Sequence, residues 1–199
     1  MLYDLNNFIL GMGGIEQAKD AIAWFRDQTV KAGFKGLELQ LSMRRERAKS
    51  LSVVPGDNIG TQKEVVEKLG FNSLTHYQFV HFTNVNRDYN EIMKDVVTDW
   101  YSISKNYAAK YYPQVSVGWD ASPRTFGLQP YIVKNNTPAN FEKALVMARD
   151  FVDAHPNQAP LITINSWNEW TETSYLMPDN IYKYGYLEAI KKVFIDQKK

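Results

Sequence analysis

Two glutamates three residues apart, Glu169 and Glu172, stand among tryptophans in the run Ile162-Thr163-Ile164-Asn165-Ser166-Trp167-Asn168-Glu169-Trp170-Thr171-Glu172. The β-branched residues at its start read as a strand, so both carboxylates fall where that strand stops and a loop begins. A pair of carboxyl groups beside aromatic platforms can cleave a glycosidic bond, one donating or accepting a proton and the other acting as nucleophile or base. That division of labour needs burial to raise one of the two pKa values, so that the group holds a proton near neutral pH. The plainer reading is a solvated face, the common fate of paired glutamates. Here the pair follows an apolar strand and sits between tryptophans, which keeps a site open beside that plainer reading. No cluster of histidines accompanies the pair, so no metal is implied, and no other cofactor is called for.

Further polar and aromatic residues follow other strand-like runs. Trp119 and Asp120 close the run 114–119, with Pro123 and Arg124 shortly after. An indole at a strand end either fills the core or offers its face to a sugar ring, a choice open for Trp119 and for Trp167 alike. Asp120 and Arg124 either pair across the Pro123 turn or hydrogen-bond sugar hydroxyls, arginine being permanently charged and suited to bidentate contact. Tyr77, with His76, ends a strand-like run at 73–79 and would face the same mouth. Asn168 and Trp170, beside the glutamates, complete the candidate substrate contacts. His81 and His155 read as loop histidines. Arg44-Arg45-Glu46-Arg47 reads as a solvated charge run, as do Lys191-Lys192 and Lys198-Lys199.

The elements that must position these residues alternate along the chain. Ala18, Ile22, Phe25 and Thr29 make a helical stripe ending at Gly33, and residues 36–42 then alternate as a strand. Thr61 and Glu64 form a capping box before a short helix that stops at Gly70, and a strand at 73–79 follows. Ile92, Val96, Trp100, Ile103 and Tyr107 stripe a long helix, after which 114–119 reads as a third strand. Thr137-Pro138 opens another helix, with an N-cap and a proline at its first position, striped by Phe141, Leu145, Ala148 and Val152. A fourth strand at 161–167 and a last helix from about Tyr184 complete the pattern. Strands alternating with amphipathic helices predict a parallel sheet covered by helices. Four such units are half of a (β/α)8 TIM barrel, which typically needs roughly 250 residues. The expected fold class is therefore α/β of (β/α)8 type, with residues 1–199 a single domain covering about four C-terminal βα units of a barrel. An open-sheet domain sharing the rhythm is the alternative. In either case the loops at the carboxyl ends of the strands would build the site.

Composition narrows the partners. A formal charge of +1 argues against nucleic acid or an anionic membrane surface, which favour a strong basic excess. No apolar run reaches the ~20 residues needed to cross a bilayer, so no membrane insertion is expected. The first residues lack a basic segment followed by an apolar core, so no signal peptide is expected in this chain; an upstream region would alter that, and the compartment stays open. Cysteine is absent, which removes disulfide and thiolate chemistry.

The motif Trp167-Asn168-Glu169-Trp170-Thr171-Glu172, followed by Tyr175-Leu176-Met177-Pro178-Asp179 and Tyr184-Gly185-Tyr186-Leu187-Glu188-Ala189, resembles the signature of the glycoside hydrolase family 99-like group, also called WbsX-like. Residues 112–124, with Gly118-Trp119-Asp120 and Pro123-Arg124, resemble a second block of that family, and 32–37 a weaker third. The matched blocks correspond to the C-terminal half of such a domain, and the resemblance implies a missing N-terminal half as a partner. Thr173 stands where that family usually has glycine. The resemblance tips the choice at the glutamates from a solvated face towards a site, and implies a retaining hydrolase acting on an α-linked oligo- or polysaccharide, as in endo-acting α-mannosidases. Glu169 would be the base that takes the proton of the substrate's 2-hydroxyl, and Glu172 the acid that protonates the departing oxygen and then activates water. Older descriptions of the family suggest a glycosyltransferase-like role in surface polysaccharide assembly, although the chain has no glycine-rich phosphate loop or Asp-x-Asp. An inactive glycan-binding fragment is the third possibility.

Overall fold

The computed structural model describes residues 1–44, 59–125 and 127–196. Arg45-Glu46-Arg47, most of the loop expected after the first strand, and Lys198-Lys199 lie outside the described residues. The described residues form a mixed α/β structure of helices and small sheets, with no closed barrel among them. They fall into two compact units, Met1–Thr75 with Ser104–Tyr111, and His76–Ile103 with Tyr112–Lys199.

The first unit opens with α1 (Leu5–Met12), an element absent from the expected pattern. Asp4 caps it by accepting from the Asn7 amide at 3.0 Å, and Gly13 ends it at φ 89°. In α2 (Ile15–Lys31) the expected stripe is buried at Ala18 and Ile22, but Phe25 is half exposed. Strand β1 (Gln40–Met43) is shorter than 36–42 because side chains take the backbone groups of its first half. Arg26 donates to Leu37 O at 2.7 Å, and Asn72 Oδ1 accepts from Leu39 N at 2.9 Å. The capping box of α3 (Gln62–Leu69) forms as expected, with Thr61 N donating to Glu64 Oε2 at 2.8 Å and Gly70 closing the helix at φ 68°. The sheet order is β1, β2 (Ser73–His76), β3 (Lys110–Tyr111), with β2 and β3 parallel.

The second unit carries the candidate site. Most of α4 (Tyr89–Asn106) belongs to it and buries Tyr89, Ile92, Met93, Val96 and Trp100. β4 (Gln114–Ser116) pairs in parallel with β5 (Thr163–Asn165), in the register Val115 to Ile164. Between them in the chain runs α5 (Pro138–Asp153), capped by Thr137 Oγ1, which accepts from Asn140 N at 3.3 Å, and buried along Phe141, Leu145, Ala148 and Phe151. Trp100 meets Phe151 edge-on with ring centroids 5.8 Å apart. The last helix, α6 (Gly185–Phe194), packs on α5 through Tyr186 and Phe141, whose rings are 5.6 Å apart and nearly perpendicular. The antiparallel pair β6 (Asn168–Glu169) and β7 (Ser174–Tyr175) was not expected.

Candidate active site

Because β4 and β5 run the same way, the chain leaves both at one edge, delivering Trp119 and Asp120 beside Trp167 to Glu169. The ladder is extended by Val117 N donating to Asn165 O at 2.7 Å. The glutamates sit on the β6–β7 hairpin, whose tip is a 3-10 turn over Trp170–Glu172. Thr173 then turns the chain with φ 51° and ψ 36°, the left-handed conformation that glycine adopts without strain. The backbone therefore keeps the loop shape expected of a glycine there, with a threonine in place.

One cation joins the two carboxylates. Arg124 Nη2 lies 3.0 Å from Glu172 Oε1, 3.8 Å from Glu169 Oε2 and 2.9 Å from Thr171 Oγ1. The triangle these distances form holds the two carboxylate oxygens at most about 7 Å apart, which spans the roughly 5–5.5 Å of retaining glycosidases and the lower end of the inverting range. Tyr77 donates its hydroxyl to Glu169 Oε1 at 3.3 Å.

The environments of the pair differ. The Glu169 side chain is 38% exposed and that of Glu172 only 11%. Glu172 Oε2 is buried with no hydrogen-bond partner among the described residues. Burial raises the Glu172 carboxyl pKa from its ordinary value; Arg124 pulls the other way, and Glu169 adds a like charge that raises it further. Two titratable groups side by side, one wet and one buried, form the asymmetry that separates an acid from a base.

A buried polar network supports the pair, and the sequence reading missed it. Gln78 donates from Nε2 to Gly118 O at 3.1 Å and to Asn165 Oδ1 at 2.6 Å. Ser174 Oγ donates to Asn165 Oδ1 at 2.8 Å, Ser166 Oγ donates to Ser174 O at 2.7 Å, and Glu169 N donates to Ser166 Oγ at 3.2 Å. Gln78 and Asn165 thus tie the β5 end to the hairpin that carries the glutamates. The available signal was a lone amide side chain inside each of two strand-like runs, 73–79 and 161–167.

The other expected site residues divide. Arg124 and Tyr77 join the glutamates. Asp120 joins through its backbone, its N–H donating to Glu172 O at 2.8 Å, while its carboxylate accepts from Ser122 N at 2.8 Å and caps the following turn. The Asp120–Arg124 salt bridge does not form among the described residues, because the guanidinium turns to the glutamates. Trp170 stacks on Tyr175, centroids 3.9 Å apart. Trp119 is half-buried, while Trp167 and Asn168 are exposed; none of the three makes a hydrogen bond or ring contact to either carboxylate among the described residues. His76 is buried rather than facing a mouth, stacks on Phe82 at 3.8 Å, and is held neutral by burial, its pKa pulled down to about 3. Among the described residues no group of three or more acidic or histidine side chains could hold a metal ion, and no helix is long and apolar enough to cross a membrane.

Two comparisons bear on kinship. Over 103 residues, 48% of its length, the chain is 29% identical to "Uncharacterized protein WxcX" of Xanthomonas campestris pv. campestris, in strain ATCC 33913 and equally in strain B100. The matched stretch spans only 15% of the length of those curated relatives. No solved structure matches the chain significantly. Residues 8–190 match the family model described as Glycosyltransferase WbsX. With all but its two ends inside that match, the chain belongs to the WbsX family.

Proposed function

We propose that the second unit carries the acid–base pair of a retaining glycoside hydrolase acting on an α-linked glycan, with Glu172 as the acid and Glu169 as the base. The observation that carries this reading is the contrast between a buried Glu172, whose proton is held more tightly than usual, and a half-exposed Glu169, both on one guanidinium. With Glu172 Oε2 enclosed, the oxygen left to serve a departing group is Oε1, which Arg124 occupies. Substrate would therefore draw Arg124 off Glu172 and onto sugar hydroxyls, freeing the acid to protonate the leaving oxygen and then deprotonate water. Glu169, steadied by Tyr77, would take the proton of the 2-hydroxyl as that oxygen attacks the anomeric carbon. The parallel pairing of β2 with β3 and of β4 with β5 supports a wider reading, in which the chain is part of a (β/α)8 barrel completed by sequence outside it.

The family description, Glycosyltransferase WbsX, favours a second reading: transfer of a sugar during polysaccharide assembly. One experiment divides the two. The full-length protein is incubated with α-mannan, with and without a nucleotide sugar, and new reducing ends are counted. Reducing ends released without the nucleotide sugar support hydrolysis. Chain growth that requires the nucleotide sugar supports transfer.

A further inference from the structure

Trp170, on the hairpin that carries the glutamates, also lines a cavity of about 480 Å³ together with Pro178, Asp179, Asn180, Lys183 and Tyr184. Trp170 stands in the chain between the two glutamates, so the cavity shares one residue with the turn that carries them. Its walls are held in place. The Trp170 indole lies on Tyr175, whose hydroxyl hydrogen-bonds Asp179. Asp179 Oδ1 in turn accepts from Ile181 N at 2.8 Å and Tyr182 N at 2.5 Å. The Asp179 and Lys183 backbones exchange two further hydrogen bonds, at 3.3 and 3.1 Å.

The lining chemistry is specific. Trp170 is 42% exposed and Tyr184 61%, giving two aromatic surfaces accessible to a ligand. The Asp179 carboxylate is committed to its own turn, whereas the Lys183 ammonium forms no ion pair among the described residues and Asn180 is exposed. Aromatic faces with hydrogen-bond donors at their edge suit a pyranose ring, apolar on its C–H face and ringed by hydroxyl oxygens. The volume lies within the ordinary range for small-ligand sites, roughly 300–1,000 Å³. We propose that this cavity is a saccharide subsite contiguous with the carboxylate pair, seating a neighbouring unit of the same chain against Trp170 and Tyr184, with Asn180 and Lys183 donating to its hydroxyls. The proposal rests on the glycan-active reading given above and extends it. Substrates long enough to reach the cavity bind better than those that are not.

The test uses the full-length protein and α-linked manno-oligosaccharides of two to six units. Affinity is read by calorimetry in the Glu172→Gln background and turnover in the wild-type background. Affinity should rise with chain length, and Tyr184→Ala should lower affinity for the hexasaccharide about five- to tenfold while lowering that for the disaccharide less; Asn180→Ala should act in the same direction. Affinity independent of length, or equal losses on both ligands in both variants, overturns the subsite. Turnover without any Tyr184 effect overturns the subsite alone. Binding that depends on Tyr184, with no turnover, overturns the hydrolase reading and keeps the subsite. Absence of binding at every length overturns both.

Discussion

Gly118→Ala probes the joint between scaffold and site. A Cβ built on Gly118 would lie 2.3 Å from Asn136 Nδ2 and 2.8 Å from Thr173 O. The Asn136 amide can rotate away. The Thr173 carbonyl is backbone, in the turn that follows Glu172, and must retreat by roughly half an ångström or more to reach ordinary contact. Gly118 is itself held, its carbonyl by Gln78 at 3.1 Å and its N–H by Ser174 Oγ at 3.4 Å, so it has little room to yield. Overpacking of this kind destabilises by about 1–3 kcal/mol. For a chain of this size that is a fall in Tm of about 2–12 °C. Displacing the Glu172 turn should also lower turnover by up to ~100-fold, since a misplacement near 1 Å can do as much. The assay is a thermal melt followed by circular dichroism, with Gly11→Ala as the control. Gly11 lies inside α1 with nothing within 4 Å of its added Cβ, so alanine there should stabilise by about 0.5–1 kcal/mol. A Gly118→Ala protein that melts with the wild type would refute the close approach, and one that melts lower with full turnover would refute the coupling to the glutamates.

Three further outcomes are expected. An unfolded chain takes up a proton at His76 below about pH 6.5 and the native protein only near pH 3, so this residue's contribution to stability is present above pH 6.5 and lost as pH falls, by up to about 1.4 kcal/mol per unit. Urea midpoints measured from pH 7 to pH 4 should show that slope and lose it in His76→Phe; an unchanged slope would contradict it. Thr173→Gly relieves a left-handed threonine worth about 1–2 kcal/mol but gives back about 0.5–1 kcal/mol of unfolded-chain freedom and loses the 3.3 Å bond from Thr173 Oγ1 to Asp120 O, worth about 0.5–1.5 kcal/mol, so Tm should move by no more than about 6 °C in either direction, and a larger change would contradict this balance. Arg124→Ala removes the cation that lowers the Glu172 pKa, so the alkaline limb of the pH–rate profile should move to higher pH; a shift to lower pH would exclude Glu172 as the acid.

How much was legible in advance follows the range of each interaction. Local signals held: the Thr61–Glu64 capping box, the Thr137-Pro138 helix start and the glycine stop at Gly70 are set by neighbours a few residues apart. The starts of β2 and β4 at Ser73 and Gln114 were legible, while the start of β1 and the early stops of β2, β4 and β5 were not; side chains as distant as Arg26 and Asn72 hold the backbone ahead of β1. The buried stripe of α2 fails at Phe25 because amphipathic spacing marks a face without saying how far a partner covers it. At the site, the glutamates and Tyr77 were legible from their places at strand ends. Arg124 was legible as a charged residue, but its partner was not, because nothing local chooses between Asp120 and two glutamates more than forty residues on. Gln78 and Asn165 were missed for the same reason: they matter only through contacts between residues far apart in the chain.

The most direct test of the central claim compares Glu169→Gln and Glu172→Gln in the full-length protein, on an α-linked oligosaccharide and on the corresponding glycosyl fluoride. Each amide keeps the shape and removes the titrating group, so each should lower oligosaccharide turnover at least ~100-fold with little change in Tm. Fluoride departs without a proton, so Glu172→Gln should recover much of its rate on that substrate, while Glu169→Gln, still lacking its base, should not. Equal losses of both variants on both substrates would contradict the division of roles, and undiminished turnover in either would remove that glutamate from the chemistry.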